Sequence, residues 1–396
     1  MVAMSRPASL LCLAFAASLC LPVAQGASLR GSLGLDSLVF AEPPQFAGQA
    51  DEYRNAAATL NLTLSDRDYH LELFSRASAN AEQAWSADLR QATWNLRSDA
   101  SDWQVGVLSQ TWGVLEAWNP VDVINVRDLA EDFQGKAKLG QPGAMVSLNL
   151  DDTVLSLYAL TYARGQRLGE GRDRLRSLPA AVREEAFEDG RWAPGFAARA
   201  AFKLGSDLEL ALSHYRGHAR EPLLQPLVDA RGLRGFRATY AQIEQTALQA
   251  QYVVGDSVLK SEVIHQRGTG ERFWGGGVGA ETTFSRVGAS TADLTLYSEF
   301  YYDARSADAP VTPFQRDLFF GARLSLNDPQ DSVLELRASH DLQWSSHLFE
   351  LRASRRVFAS TVFSAALLAP SQARRDPALN GYGNDTYLKL GLAWYF

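Results

Sequence analysis

The sequence predicts an all-β protein, a single transmembrane antiparallel β-barrel of about 18 strands. Three observations carry this reading. Apolar and polar residues alternate over segments about ten residues long, no apolar run approaches the length of a membrane helix, and tight connections alternate with long ones. Alternation is clearest in Tyr387-Leu388-Lys389-Leu390-Gly391-Leu392-Ala393-Trp394-Tyr395-Phe396, where every even position is large and apolar. Similar runs occupy Leu318 to Leu326, Leu334 to Ala338, Leu294 to Tyr302, Leu208 to Leu212 and Tyr69 to Leu73. Soluble sandwiches alternate too, but with strands of about five or six residues. Crossing hydrocarbon takes about nine to eleven tilted residues.

In chain order, strands are expected at 29–39, 54–65, 68–78, 86–97, 102–110, 142–151, 153–163, 195–204, 207–217, 239–254, 257–267, 273–284, 292–303, 316–327, 331–341, 346–356, 360–369 and 386–396. Each period-two run ends in Gly, Asp, Asn or Pro, the residues that break strands. The connections Ser65 to Asp68, Ser98 to Ser101, Asp151-Asp152, Gly205-Ser206, Gly255-Asp256 and Asn327 to Gln330 are tight. The alternate connections are mostly longer, above all 111–141 and 164–194. This is the pattern of short periplasmic turns and long extracellular loops. An even count places both termini on the short-turn side; sixteen strands is the alternative.

Ahead of the first strand, Arg6, the apolar stretch Leu10 to Leu21 and the small-residue site Ala24-Gln25-Gly26 read as a secretory leader over 1–26, with the barrel at 27–396. The only cysteines, Cys12 and Cys20, fall in that leader, so the barrel carries no disulfide. Hydrophobic residues make up 46% and charged residues 21%, which excludes disorder, and mean hydropathy is −0.17, too polar for a bundle of membrane helices. The net charge of −7 argues against a nucleic-acid partner.

In lipid, apolar side chains belong outside and polar ones inside. Leu388, Leu390, Leu392 and Trp394 are therefore assigned to the lipid face. Glu72, Arg76, Glu209, Glu299, Arg323, Glu335, Arg337, Glu350, Arg352 and Lys389 are assigned to the lumen wall. Eighteen strands enclose more room than their own side chains fill. A constriction must then come from a loop, and 111–141 is the candidate. Its residues Trp112, Glu116, Asn119, Asp122, Asn125, Arg127, Asp128, Glu131 and Asp132 are the candidate pore lining. Asn119-Pro120 followed by Asp122 predicts a short capped helix, with Asn as cap and the acid in the first turn. The 164–194 loop concentrates charge in Arg172, Arg174, Arg176, Arg183, Glu184, Glu185, Glu188 and Asp189; it is either solvated or placed to meet lipopolysaccharide phosphates or a charged solute.

Other constellations carry less. His214 and His218 have a helical metal spacing but lie on a strand and the loop after it, so no metal site is expected. Gly275-Gly276-Gly277-Val278-Gly279 lacks the context of a phosphate cradle and reads as room-making glycine in a barrel strand. No hydrolase elbow, zinc motif or P-loop occurs.

Several stretches resemble a largely uncharacterised family of porin-like outer-membrane proteins of Gram-negative bacteria. They are Trp112-Gly113, Val121-Asp122-Val123-Ile124-Asn125, Asp128-Leu129 and Lys138-Leu139-Gly140-Gln141-Pro142, then Leu212-Ser213-His214-Tyr215 with Arg220-Glu221-Pro222. Ile243-Glu244-Gln245-Thr246 with Gln251-Tyr252, Lys260-Ser261-Glu262, and Thr312-Pro313-Phe314 with Leu318-Phe319-Phe320-Gly321-Ala322-Arg323-Leu324 complete the set. The resemblance implies an outer-membrane barrel and supplies no catalytic residues. Porins keep their constriction in the third long loop, the place of 111–141 here. The terminal Phe396 resembles the signature by which such barrels reach their assembly machinery. The expectation is a passive channel for small solutes, without cofactor or catalysis, in contact with outer-membrane lipid and lipopolysaccharide. The alternatives are a structural or export partner of an envelope transport system, or a barrel hydrolase with a serine and histidine meeting in space.

Overall fold

A computed structural model describes residues 26–50, 54–268 and 270–396. The expected leader, with both cysteines, lies outside these residues except for Gly26. The first half of the chain forms β1 (Ser28–Phe40), β2 (Arg54–Ser65), β3 (Tyr69–Ser78), β4 (Trp85–Arg97), β5 (Ser101–Leu108), β6 (Gln141–Leu150), β7 (Thr153–Leu160), β8 (Val182–Phe187), β9 (Gly195–Leu204), β10 (Leu208–His218) and β11 (Leu223–Asp229). The second half adds β12 (Gly232–Tyr240), β13 (Gln242–Val254), β14 (Ser257–Gly268), β15 (Glu271–Phe284), β16 (Asp293–Asp303), β17 (Arg316–Ser325), β18 (Val333–Asp341), β19 (His347–Phe358), β20 (Thr361–Ser371) and β21 (Tyr387–Tyr395).

Eighteen of these strands form one antiparallel sheet, which closes where β1 pairs with β21 from Ser32 opposite Tyr395 to Phe40 opposite Tyr387. Closure leaves no open edge, the condition for a sheet in hydrocarbon. At the seam Gly31 and Phe396 exchange both backbone hydrogen bonds, at 2.9 and 3.0 Å. The count settles on eighteen rather than sixteen. The remaining strands β8, β11 and β12 make a separate three-stranded sheet beyond the barrel. Sequence periodicity merged part of that sheet with the barrel: the expected strand 239–254 breaks at Ala241, between β12 and β13.

One rim carries the short turns 66–68, 98–100, 151–152, 205–207, 255–256 and 359–360, together with both ends of the barrel chain. Two of these depend on glycine in the left-handed region, Gly205 at φ 71° and Gly255 at φ 58°. Longer connections at this rim, 285–292 and 326–332, depart from the expected pattern, as does the tight β14–β15 hairpin at the other rim. The long segments 109–140, 161–194, 219–241 and 372–386 all lie at the opposite rim.

Side chains divide as the solvent requires. Leu388, Leu390, Leu392 and Trp394 stand 37–44% exposed on the outside, while Lys389 between them reaches Asp36 across the seam at 3.4 Å on the inside. Trp94, Leu96, Val105, Leu212, Leu248, Val278 and Phe320 extend this apolar exterior around the barrel. A soluble globule would bury these residues; here only lipid can cover them.

Placing arginine at Leu390, near the centre of β21, is expected to destabilise the barrel in vesicles by roughly 2–4 kcal/mol, read from urea unfolding. Lys389→Gln, one residue away on the inner face, should stay within about 1 kcal/mol of the parent.

Candidate functional site in the barrel lumen

The segment 109–140 folds back inside the ring of strands without forming a regular element of its own. Its backbone donors find partners on the wall. Glu262 of β14, fully buried, accepts from Val114 N at 2.6 Å, Leu115 N at 3.1 Å, Asn119 Nδ2 at 3.0 Å and Val121 N at 3.3 Å. Glu299 of β16 accepts from Glu116 N at 2.6 Å and Ala117 N at 3.0 Å. Tyr301 lies 2.6 Å from Glu299 through its hydroxyl, which also accepts from Trp118 N at 3.1 Å.

This arrangement overturns the expected helix after Asn119-Pro120. The chain makes a single turn there, closed by Asp122 N donating to Asn119 O at 3.1 Å. A helix would satisfy its own N–H groups; here two wall carboxylates take them, and charge-assisted bonds to buried carboxylates are the stronger option. Asn119 uses its amide to donate, to Leu115 O at 2.8 Å and to Glu262, instead of capping. Asp122 pairs with Lys138 on the returning leg.

Packing follows the hydrogen bonds. Trp112, Val121, Val123 and Ile124 form one apolar cluster with Met145, Tyr158, Ala197, Tyr215, Ile243, Ala247, Ile264 and Phe273 of the wall. Trp112 meets Tyr158 edge-on, with ring centroids 5.5 Å apart. The lumen face of β6 to β15 is thus largely apolar where the segment covers it, with Glu262 and Gln245 as polar exceptions bonded to the segment. Leu115 packs where β15 presents Gly277 and Gly279. A Cβ at Gly277 would stand 2.7 Å from Leu115 Cδ1 and 2.9 Å from the Tyr301 ring, so these glycines make room for the loop. Asn125 ties the two legs together, donating to Leu108 O and Leu139 O at 2.9 and 2.8 Å and accepting from Gln110 N at 2.8 Å.

Past Asn125 the chemistry turns ionic. Asp128, fully buried, pairs with Arg90 at 2.8 Å and Arg167 at 3.2 Å, and Arg76 of β3 pairs with Glu131 at 3.0 Å. Arg127 lies over the Trp118 ring at 3.6 Å and donates to Gly135 O at 2.6 Å. Asp132 accepts from Gln134 N and Lys136 N at 3.1 and 3.0 Å, holding the turn that presents Lys136. The wall opposite bears a ladder of ion pairs: Arg323–Glu335 at 2.9 Å, Arg337–Glu350 at 3.6 Å, Arg352–Glu350 at 2.6 Å and Lys389–Asp36. Lys136 keeps contact with solvent, yet the crowding of the lumen and then the nearby Arg337 and Arg352 lower its pKa to about 8. Burial raises the Glu131 carboxyl, with Arg76 opposing.

The structure sorts the sequence-derived candidates. Trp112, Asn125 and Asp128 are buried and the side chain of Asp122 is 2% exposed, so they build the loop, while the largely buried Arg127 borders the cavity at the long-loop rim. Glu116, Asn119, Glu131 and Asp132 are partly open, and Glu116 bonds Lys260 at 3.0 Å. On the wall, Glu72, Arg76, Arg323, Glu335, Arg337, Glu350, Arg352 and Lys389 sit on the inner face, Glu209 lies near the short-turn rim beside Lys203, and Glu299 is covered by the loop. Sequence reasoning missed Glu262, Tyr301, Arg90, Lys260 and Lys136. The available signal for Glu262 was an acid at an inward strand position within the Lys260-Ser261-Glu262 stretch. His214 and His218 do not converge: His214 faces out beside Thr246, and the His218 ring contacts Glu188 O.

Above the segment, at the long-loop rim, a cavity of about 1830 Å³ opens, lined in part by Trp118, Phe133, Gln134, Trp344, Arg374 and Tyr382. The 161–194 loop helps to wall this rim and is not simply solvated. Arg174, 2% exposed, pairs with Asp385 at 2.8 Å and donates to Glu42 O at 2.8 Å, tying three loops together.

Fold and exterior together define an 18-stranded outer-membrane β-barrel with a long loop folded into its lumen. No family model matches the chain, and no curated protein matches it. Solved structures share the fold. Wzi, an outer-membrane protein involved in group 1 capsule assembly in Escherichia coli and described as a carbohydrate-binding β-barrel, aligns with a TM-score of 0.55 at 10% identity, over 99% of this chain and 89% of its own. OccAB4 of Acinetobacter baumannii aligns at 0.53 and 8% identity, over 94% and 99%. OccK8 (OprE) of Pseudomonas aeruginosa aligns at 0.52 and 10% identity, over 94% and 98%.

Glu262→Ala removes the acceptor for four donors in a dry site, at about 1–3 kcal/mol for each buried group left unpaired. Amide exchange at Val114, Leu115 and Val121 should accelerate at least about tenfold, with β-strand amides unchanged. Exchange as slow as in the parent protein would contradict the assignment.

Proposed function

We propose that the protein is a passive outer-membrane channel for small polar solutes, narrowed by the segment 109–140. One observation carries the reading: the segment packs its apolar side on the wall from β6 to β17 and leaves its ionic side toward the wall that runs from β17 through β21 to β3. The passage then runs between Gln134, Lys136 and Glu131 on the loop and the ion-pair ladder on the wall. Within it Arg76, Lys136, Arg323, Arg337, Arg352 and Lys389 face Asp36, Glu72, Glu131, Asp132, Glu335 and Glu350, so both signs line the path and the protonation of Lys136 tips the balance between anions and cations. Selectivity comes from fixed charge and radius, and the proposal assigns no catalytic role.

A second reading rests on the outer cavity. The aromatic side chains of Trp118, Phe133, Trp344 and Tyr382 beside Arg374 suit a glycan, and Wzi is described as carbohydrate-binding. In that case the barrel serves an envelope assembly as a structural partner, binds oligosaccharide, and conducts no ions.

Reversal potentials in planar bilayers under a salt gradient separate the two. A lysine is charged below its pKa, so the anion-to-cation permeability ratio should be higher at pH 6 and fall as pH rises through about 8, where Lys136 loses its proton. Lys136→Gln should be flat across that window and less anion-selective at pH 6. Absence of any conductance would overturn the channel in favour of the second reading.

A further inference from the structure

The outer surface of β10, β13, β14 and β15 breaks the apolar exterior near the long-loop rim. In register, Leu212 and Leu248 face lipid. Two residues further along each strand toward that rim stand His214, Thr246, His265 and Trp274, and two beyond those stand Arg216, Glu244, Arg267 and Arg272. Trp274 is 60% exposed, with its ring centroid 4.8 Å from that of His265, the placement of an interfacial tryptophan. The arginine row therefore sits at headgroup level, where its guanidiniums meet the polar edge of the bilayer.

The charges in this row do not balance. Arg267 lies directly opposite Arg272 in the β14–β15 ladder, and both point outward. Like charges directly opposed across two strands destabilise a sheet. Glu244 supplies one carboxylate, shared between Arg267 Nε at 2.8 Å and Arg216 Nε at 4.0 Å. Three guanidiniums thus share the row with one carboxylate that reaches only two of them, and the Arg216 and Arg267 side chains remain 73% and 64% exposed. An anion from outside the chain completes the row and relieves the opposed charges. Planar guanidiniums on neighbouring strands suit bidentate recognition of phosphate.

We infer that Arg216, Arg267 and Arg272 form a phosphate clamp for the phosphorylated glycolipid of the outer leaflet, the lipid A part of lipopolysaccharide. The long-loop rim is the extracellular one, so the leaflet at this height is the one that carries that lipid. A phosphate seated between Arg267 and Arg272 neutralises the opposed pair, while the acyl chains lie along Leu212, Leu248 and Val263 below. This assignment adds to the one the sequence suggested: of the arginines in the 161–194 loop, Arg174 and Arg176 are buried among other loops, while Arg172 and Arg183 are exposed. The clamp is independent of conduction through the lumen.

The test measures binding of purified lipid A to the detergent-solubilised barrel by native mass spectrometry, with folding checked by the heat-dependent gel mobility of barrels. The variant Arg216→Ser/Arg267→Ser/Arg272→Ser should bind lipid A at least about tenfold more weakly. Arg54→Ser, an outward arginine on β2, should bind as the parent does. Lipid A stripped of its phosphates should bind the parent no better than lipid A binds the triple variant. Arg272→Ser alone relieves the opposed pair, so it should leave thermal stability without lipid A unchanged or raised while lowering lipid A affinity severalfold. Full affinity in the triple variant would overturn the clamp. So would phosphatidylglycerol binding as tightly as lipid A, or Arg272→Ser lowering lipid-free stability without affecting lipid A.

Discussion

Backbone hydrogen bonding inside hydrocarbon is the constraint from which the rest of this molecule follows. No water is present there to meet an unpaired N–H or C=O, so the sheet must close on itself, as β1 and β21 do. Closure fixes the face of every strand residue, because alternate side chains point to lipid and to the lumen. Once Leu388, Leu390 and Leu392 are committed to lipid, Lys389 and its equivalents on the other strands have only the interior to occupy. The interior is consequently lined with charge, and that charge is available for work.

The same constraint recurs on a smaller scale inside the barrel. A long loop that enters the lumen carries backbone donors that need partners, and it has neither a sheet nor a helix of its own to supply them. Glu262 and Glu299 fill that role, collecting six donors from the loop between them, five of which are backbone N–H groups. The apolar cluster around Trp112 and Ile124 then excludes solvent from these bonds, and two wall glycines admit Leu115. The outcome is asymmetric. One side of the lumen is filled and dry; the other keeps its ionic ladder facing the loop. In the proposed channel the solute path follows that second side.

Most of the fold was legible because period-two alternation is a direct record of two solvents on two faces. The observed barrel strands fall within a few residues of the expected ones. The exceptions have local causes. Thr239 and Tyr240 were read into the expected strand 239–254 but end Gly232–Tyr240, which pairs with Val182–Phe187 and Leu223–Asp229 beyond the barrel, a small sheet that was not expected. The site was less legible. Asn119-Pro120 carries a helix-start signal, yet the contacts that override it lie more than 140 residues away in sequence, at Glu262. Asp122 and Asp128 have the composition of pore-lining acids but are consumed by Lys138, Arg90 and Arg167. Lys136 gave no signal at all, since its importance comes from facing Arg337 and Arg352 across the lumen.

The claim that the ionic side of this loop borders the conducting path is tested most directly by placing a cysteine at position 136. Both native cysteines lie in the first twenty residues, and replacing Cys12 and Cys20 by serine makes the substituted position the sole thiol of the chain. Single-channel current is recorded while a bulky, charged thiol reagent is added to the Lys136→Cys protein. The account predicts a stepwise and lasting fall in conductance on modification, with no response from Trp112→Cys, whose position is buried against the wall. Complete modification of residue 136 with conductance unchanged would contradict it.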